Sequence, residues 1–115
     1  MKEQKVKIIL LHIMEDLQDI ELFLQNISKE EFLTSSMIKK AVSMSLLNIG
    51  ELSKELPAAL TTKYPDIPWV SIVGLRNRTA HGYHGLDPEI IWNICNKDLK
   101  EFEKVIAYEI QQINK

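Results

Sequence analysis

Val6-Lys7-Ile8-Ile9-Leu10-Leu11-His12-Ile13-Met14-Glu15-Asp16-Leu17-Gln18-Asp19-Ile20-Glu21-Leu22-Phe23-Leu24-Gln25-Asn26-Ile27 is the stretch whose reading decides the fold. Within it Val6, Leu10, Ile13, Leu17, Ile20, Leu24 and Ile27 recur at alternating spacings of four and three. At 3.6 residues per turn this lays one apolar stripe along a long helix, and such a stripe needs another helix to cover it. Ser28-Lys29-Glu30-Glu31 follows as a capping box, so the chain reverses and a new helical turn begins.

The same rhythm returns in Ile38, Val42, Ser45, Ile49, Leu52 and Leu56, which predicts a second long helix stopping against Pro57. Gly50 lies inside it at a cost of about 1 kcal/mol relative to alanine, which a close-packed neighbouring backbone would explain. Residues 57–68 hold Pro57, Pro65 and Pro68 and read as a short helical turn and a loop. Pro68 opens a third helix bearing Trp69, Ile72, Val73 and Leu75, with Asp66 as a nearby cap and Gly82 as its left-handed stop. Asp87-Pro88-Glu89 supplies an N-cap, a first-turn proline and a dipole-matched acid. Ile91, Cys95, Leu99, Phe102, Ile106, Ile110 and Ile113 then stripe a fourth helix. The expectation is an all-α, up-and-down four-helix bundle with an extra short helical turn, forming a single domain over residues 1–115.

Composition agrees. The 115 residues are 45% hydrophobic and 26% charged, which suits a folded domain and not a disordered chain. A net charge of -2 argues against a broad, non-specific nucleic-acid surface and leaves room only for a local basic site. One cysteine, Cys95, forms no intrachain disulfide, and no run nears the roughly 18 apolar residues that a membrane span needs. The expected compartment is the cytoplasm, with no membrane partner.

Chemistry concentrates in Gly74-Leu75-Arg76-Asn77-Arg78-Thr79-Ala80-His81-Gly82-Tyr83-His84-Gly85-Leu86-Asp87. Arginine offers phosphate a permanently charged fork, and histidine exchanges protons near neutral pH, so the pair suits phosphodiester cleavage. Positions five apart differ by about 140° on a helix, so Arg76 and His81 do not share a face of an unbroken one. Either Gly82 ends the helix and frees His81, or a twofold axis brings two copies of the segment together, or both. Arg78 reads first as a solvated residue and second as a substrate contact. A metal pair of His81 and His84 lacks further ligands nearby in the sequence, while Trp69 and Trp92 read as packing anchors and His12 as solvent-facing. Glu51 suits either a solvated position or a buried partner for an arginine.

Arg76, four intervening residues, then His81-Gly82-Tyr83 resembles the R-x4-H-x-Y signature of the HepT-like toxins of the HEPN superfamily. Asn48-Ile49-Gly50-Glu51-Leu52, Pro65-Asp66-Ile67-Pro68-Trp69, Leu75-Arg76-Asn77, and Leu86-Asp87 leading to Ile91-Trp92 follow that family's order and spacing, so the likeness covers essentially the whole chain. It departs at His84, where an aromatic is common, and at Ser35-Ser36, where an acidic residue often opens the second helix. The resemblance implies a HEPN-like homodimer that cleaves RNA without metal or other cofactor. Arg76 and His81 would be catalytic at the dimer interface with Asn77 supporting them; Arg78 and His84 are taken separately as candidate substrate contacts. It also implies an antitoxin of the MNT nucleotidyltransferase type that transfers AMP to Tyr83. Two other readings remain: a non-catalytic HEPN module presenting Tyr83 and the basic loop to a nucleotidyltransferase or a nucleotide, and a purely structural dimeric bundle.

Overall fold

A computed structural model describes the backbone of residues 2–80 and 87–114, and side chains over 3–75 and 87–114. The elements are α1 (Lys2–Leu24), α2 (Lys29–Thr34), α3 (Ser36–Lys54), α4 (Ala58–Thr61), α5 (Trp69–Ala80), α6 (Pro88–Asn93), a π-helical turn (Ile94–Asp98) and α7 (Leu99–Ile113). Among the described residues there is no strand, and the all-α expectation holds. α1, α3, α5 and the continuous run from α6 to α7 are the four long members, with α2 and α4 as short turns between them.

Local chemistry sets most boundaries. α1 stops where Asn26 takes a positive φ of 59°, a left-handed conformation asparagine tolerates, so Ile27 packs on the core from outside the helix. The expected capping box is present: Ser28 Oγ accepts from Glu31 N–H at 3.1 Å, and Ser28 N–H donates to Glu31 Oε1 at 3.0 Å. Ser35 caps α3 by accepting from Ile38 N–H at 3.1 Å. Ile72 N–H donates to the Pro68 carbonyl at 3.0 Å, so Pro68 stands just before α5, while Asp66 makes no capping bond among the described residues. Asp87 caps α6 by accepting from Glu89 N–H at 2.9 Å, with Pro88 in the first turn.

The helices alternate in direction. Residues of α1 from Glu3 to Ile9 share a groove with Glu55 and Pro57, while His12 and Asp16 share a cleft with Asn48 and Leu52, so α1 and α3 run antiparallel. Ser53 and Leu56 meet Trp69, Val70 and Val73, and α5 then returns along α3. Ile72 and Leu75 face Ile94 and Leu99, and Trp69 meets Phe102 edge-on at 5.8 Å, which sets α5 against α7. Glu21 of α1 faces Glu103 of α7, and packing of these two helices closes the ring.

The predicted stripes form the core. Leu10, Ile13, Leu17 and Ile20 of α1, Val42, Ile49 and Leu56 of the second stripe, and Ile91, Cys95, Leu99, Phe102 and Ile106 of the last are all buried. At one end of the bundle α2 closes the core, with Phe32 against Trp92 at 5.4 Å and Lys29 paired to Glu89 at 3.7 Å. That is the end at which α5 finishes and α6 begins.

Candidate nucleic-acid cleavage site

Arg76, Asn77 and Arg78 occupy the last turns of α5. His81, Tyr83 and His84 lie outside the described residues, as do the stop expected at Gly82 and the spacing between Arg76 and His81. The helix is described through Ala80, which sets the base of the motif at the end of the bundle that α2 closes.

α3 supplies the floor beside α5. Lys39, Ser43, Leu46, Gly50 and Ser53 follow spacings of four and three and share one face, and Ser53 meets the first turn of α5. Ser43, Gly50 and Ser53 are small and buried. The hydroxyls of Ser43 and Ser53 are buried without a hydrogen-bond partner among the described residues. Lys39 ends the row, half-buried, and makes no ion pair among the described residues.

Two other polar constellations lie apart from the motif. A cleft of about 350 Å³ between α1 and α3 is lined by His12, Glu15, Asp16, Asn48, Glu51 and Leu52. Burial raises the Asp16 carboxyl above the usual range, opposed by the Asn48 amide donating to it at 3.4 Å. His12 and Glu51 are exposed at this rim. No group of three or more metal-ligating side chains occurs among the described residues.

At the opposite end of the bundle, Glu109 is 4% exposed and holds two partners from the loop after α4. Lys63 Nζ donates to its two oxygens at 3.2 and 3.3 Å, and the Tyr64 hydroxyl donates to Oε2. Desolvation, reinforced by Glu109, pushes the Tyr64 phenol up to about 12. Trp69 Nε1 donates to the Tyr64 carbonyl at 3.0 Å, so this cluster fixes the entry to α5. Trp69 and Trp92 are both packed against the core, as anchors.

A family model described as "Ribonuclease HepT-like" matches residues 13–109, a span that contains the whole motif. The chain is 40% identical over 110 residues to "Putative RNase MJ0127" of Methanocaldococcus jannaschii, covering 92% of this chain and 91% of the relative. It is 35% identical over 106 residues to "Putative RNase MJ1380" of the same organism, covering 92% and 97%. It is 33% identical over 97 residues to "Probable ribonuclease HepT" of Thermococcus cleftensis, covering 81% and 88%. No solved structure gives a significant match.

Proposed function

Because this chain belongs to the ribonuclease HepT-like family, we propose that it is a metal-independent endoribonuclease, the toxin of a toxin–antitoxin pair acting in the cytoplasm. The observation that carries this reading is a family match running through Arg76, Asn77, His81 and Tyr83 on a bundle of the expected all-α architecture.

The ribose 2′-hydroxyl attacks the adjacent phosphorus, its proton passes to a base, and the 5′-oxygen leaves with a proton from an acid. The products are a cyclic 2′,3′-phosphate and a free 5′-hydroxyl. Arg76 stabilises the charge that builds on the phosphoryl oxygens. His81 follows the last described turn of α5, where a helix dipole favours imidazolium, a form suited to protonating the leaving oxygen; as imidazole it serves as the base. Asn77 orients the pair, and Arg78 and His84 hold the flanking strand. The site is built at a homodimer interface, where a twofold axis lets Arg76 of one subunit work with His81 of the other. A nucleotidyltransferase antitoxin of the MNT type silences it. The Tyr83 oxygen attacks the α-phosphorus of ATP, pyrophosphate leaves, and the AMP placed beside His81 blocks the cleft.

The test is cleavage of labelled RNA in EDTA. The purified chain should cut and leave a cyclic phosphate, and His81→Ala and Arg76→Ala should each lower kcat by about 100-fold or more with the thermal transition intact. Activity abolished by EDTA and restored by a divalent ion would sink the proposal. Co-expression with the neighbouring nucleotidyltransferase should add the mass of AMP to the chain, and Tyr83→Phe should prevent it.

A further inference from the structure

Ile8, Glu15 and Leu22 follow one another at steps of seven along α1, and Met37, Met44 and Glu51 do the same along α3. Seven residues make nearly two turns, so each trio shares a helix face. Glu15 and Glu51 open onto the same cleft, so the two faces look out on one side of the bundle. Leu11 joins the α1 face at the helical spacing of three and four. Among the described residues eight large apolar side chains are exposed, and five of them, Ile8, Leu11, Leu22, Met37 and Met44, lie here. Single exposed apolar residues are ordinary on a monomer, whereas a concentration of them marks a contact surface. α5 packs on α3 from the side of Ser53 and Leu56, both buried, so this surface is separate from the end of α5.

The charges on this side indicate what covers it. Lys5, His12 and Asp19 are again seven apart along α1, and His12 lines the cleft, so this row borders it. On α3, Lys40 stands one turn before Met44, and Glu55 one turn after Glu51. The two helices run antiparallel, Lys5 sharing a groove with Glu55 and His12 the cleft with Glu51. The same count puts Asp19 within about one turn of the level of Lys40. One end of the face is therefore basic on α1 and acidic on α3, and the other end is the reverse. A second copy, turned about a twofold parallel to the helices, lays each α1 along the partner's α3. Lys5 then meets the partner's Glu55, Asp19 the partner's Lys40, and Leu22 falls beside the partner's Met44, every contact being made twice. A twofold across the helices that matched Lys5 with Asp19 would centre on His12 and, at that level of α3, set two Glu51 side chains together. α3 is 19 residues long. At about 28 Å by about 20 Å for two helices side by side, each copy offers roughly 600 Å². The roughly 1,200 Å² covered in all clears the ~1,000 Å² that a stable interface needs. We propose that the outer face of α1 and α3 is a homotypic interface, on which a second copy of this chain docks with α1 against α3 in both directions. This does not depend on the ribonuclease reading; together with the subunit pairing proposed there it gives a particle of four chains.

Sedimentation velocity and native mass spectrometry of the full chain test this. Wild type at tens of micromolar should form a particle of at least two copies. Met44→Asp and Leu11→Asp each put an unpaired charge inside the contact, and should halve the particle mass or raise Kd about 100-fold or more, with the thermal transition intact. Tyr108→Asp, the same change at a similarly exposed residue of α7, should leave mass and Kd at wild type. Met44→Ala should weaken association in the same direction, which covers the case in which aspartate disturbs α3. Lys40→Glu and Asp19→Lys should each raise Kd about tenfold, and the two in one chain should restore it. A wild-type chain that stays single would overturn the interface, as would one that associates only when a different protein is added. An assembly whose mass and Kd ignore Met44→Asp, Met44→Ala and Leu11→Asp would overturn it too, and so would a loss shared by Tyr108→Asp. A double charge variant no tighter than its singles would overturn the pairing of α1 with α3. RNA cleavage in EDTA is read separately on the same samples, so failure of the ribonuclease reading and failure of this interface are distinguishable.

Discussion

Glu103 faces Glu21 across the α1–α7 seam, two carboxyls placed where one proton could be shared between them. Burial first, then hydrogen bonding and repulsion by Glu21, raise the Glu103 carboxyl above its ordinary 4.5. The folded chain therefore binds this proton more tightly than the unfolded one. The resulting stabilisation is complete below the unfolded value and is lost as pH climbs through the raised folded value. Glu103→Gln should accordingly raise Tm at pH 7 and not at pH 4, as read by calorimetry at the two pH values; an equal change at both would refute the shared proton. Cys95 is the opposite kind of residue, a buried thiol that desolvation lifts to about 12. It should react with an aromatic disulfide reagent only at the rate of unfolding, so labelling of the native chain as fast as a free thiol would contradict its placement.

Helix boundaries here are set by short-range chemistry, which is why they were largely legible beforehand. The Ser28–Glu31 box and the Asp87 cap need only neighbours within three residues, and both appear as read. The turn at Ile94–Asp98 was not legible. A stripe of Ile91, Cys95 and Leu99 steps by four, and each such step drifts about 40° from a 3.6-residue helix. The drift is absorbed where Leu99 N–H donates to the Ile94 carbonyl five residues back, widening the turn, while Asn96 Nδ2 takes the Trp92 carbonyl at 2.8 Å. α5 carries a weakness of its own in Gly74, where an added Cβ meets nothing within 4 Å. Gly74→Ala should stabilise the fold by about 1 kcal/mol in denaturant titrations, while Asp87→Ala, which removes the α6 cap, should cost about 1 kcal/mol. Destabilisation by Gly74→Ala would mean that something not yet in the bundle lies against that face.

At the scale of the whole molecule, the Glu109 cluster lies at the end of the bundle away from the end of α5. Nothing near Glu109 in the sequence marks it for burial, because its partners Lys63 and Tyr64 lie some 45 residues away. Removing its carboxylate with Glu109→Ala should cost about 2–3 kcal/mol, since the Tyr64 hydroxyl loses its acceptor and α4 its tie to α7. The motif end shows the reverse: Arg76, His81 and Tyr83 are conspicuous in the sequence, but on the reading proposed above the arrangement they need spans two subunits. A segment that puts arginine and histidine five residues apart meets the geometry of one pocket most simply when two subunits contribute. Mixing inactive Arg76→Ala and His81→Ala chains, unfolded and refolded together, then makes heterodimers in which one site has lost both groups and the other retains both. With half the dimers mixed and one of two sites intact in each, about a quarter of wild-type RNA cleavage should return. If each site instead took both groups from one chain, every site in the mixture would lack one of them and no activity would reappear. A recovery near zero in a mixture shown by native mass spectrometry to contain heterodimers would confine the chemistry to a single subunit.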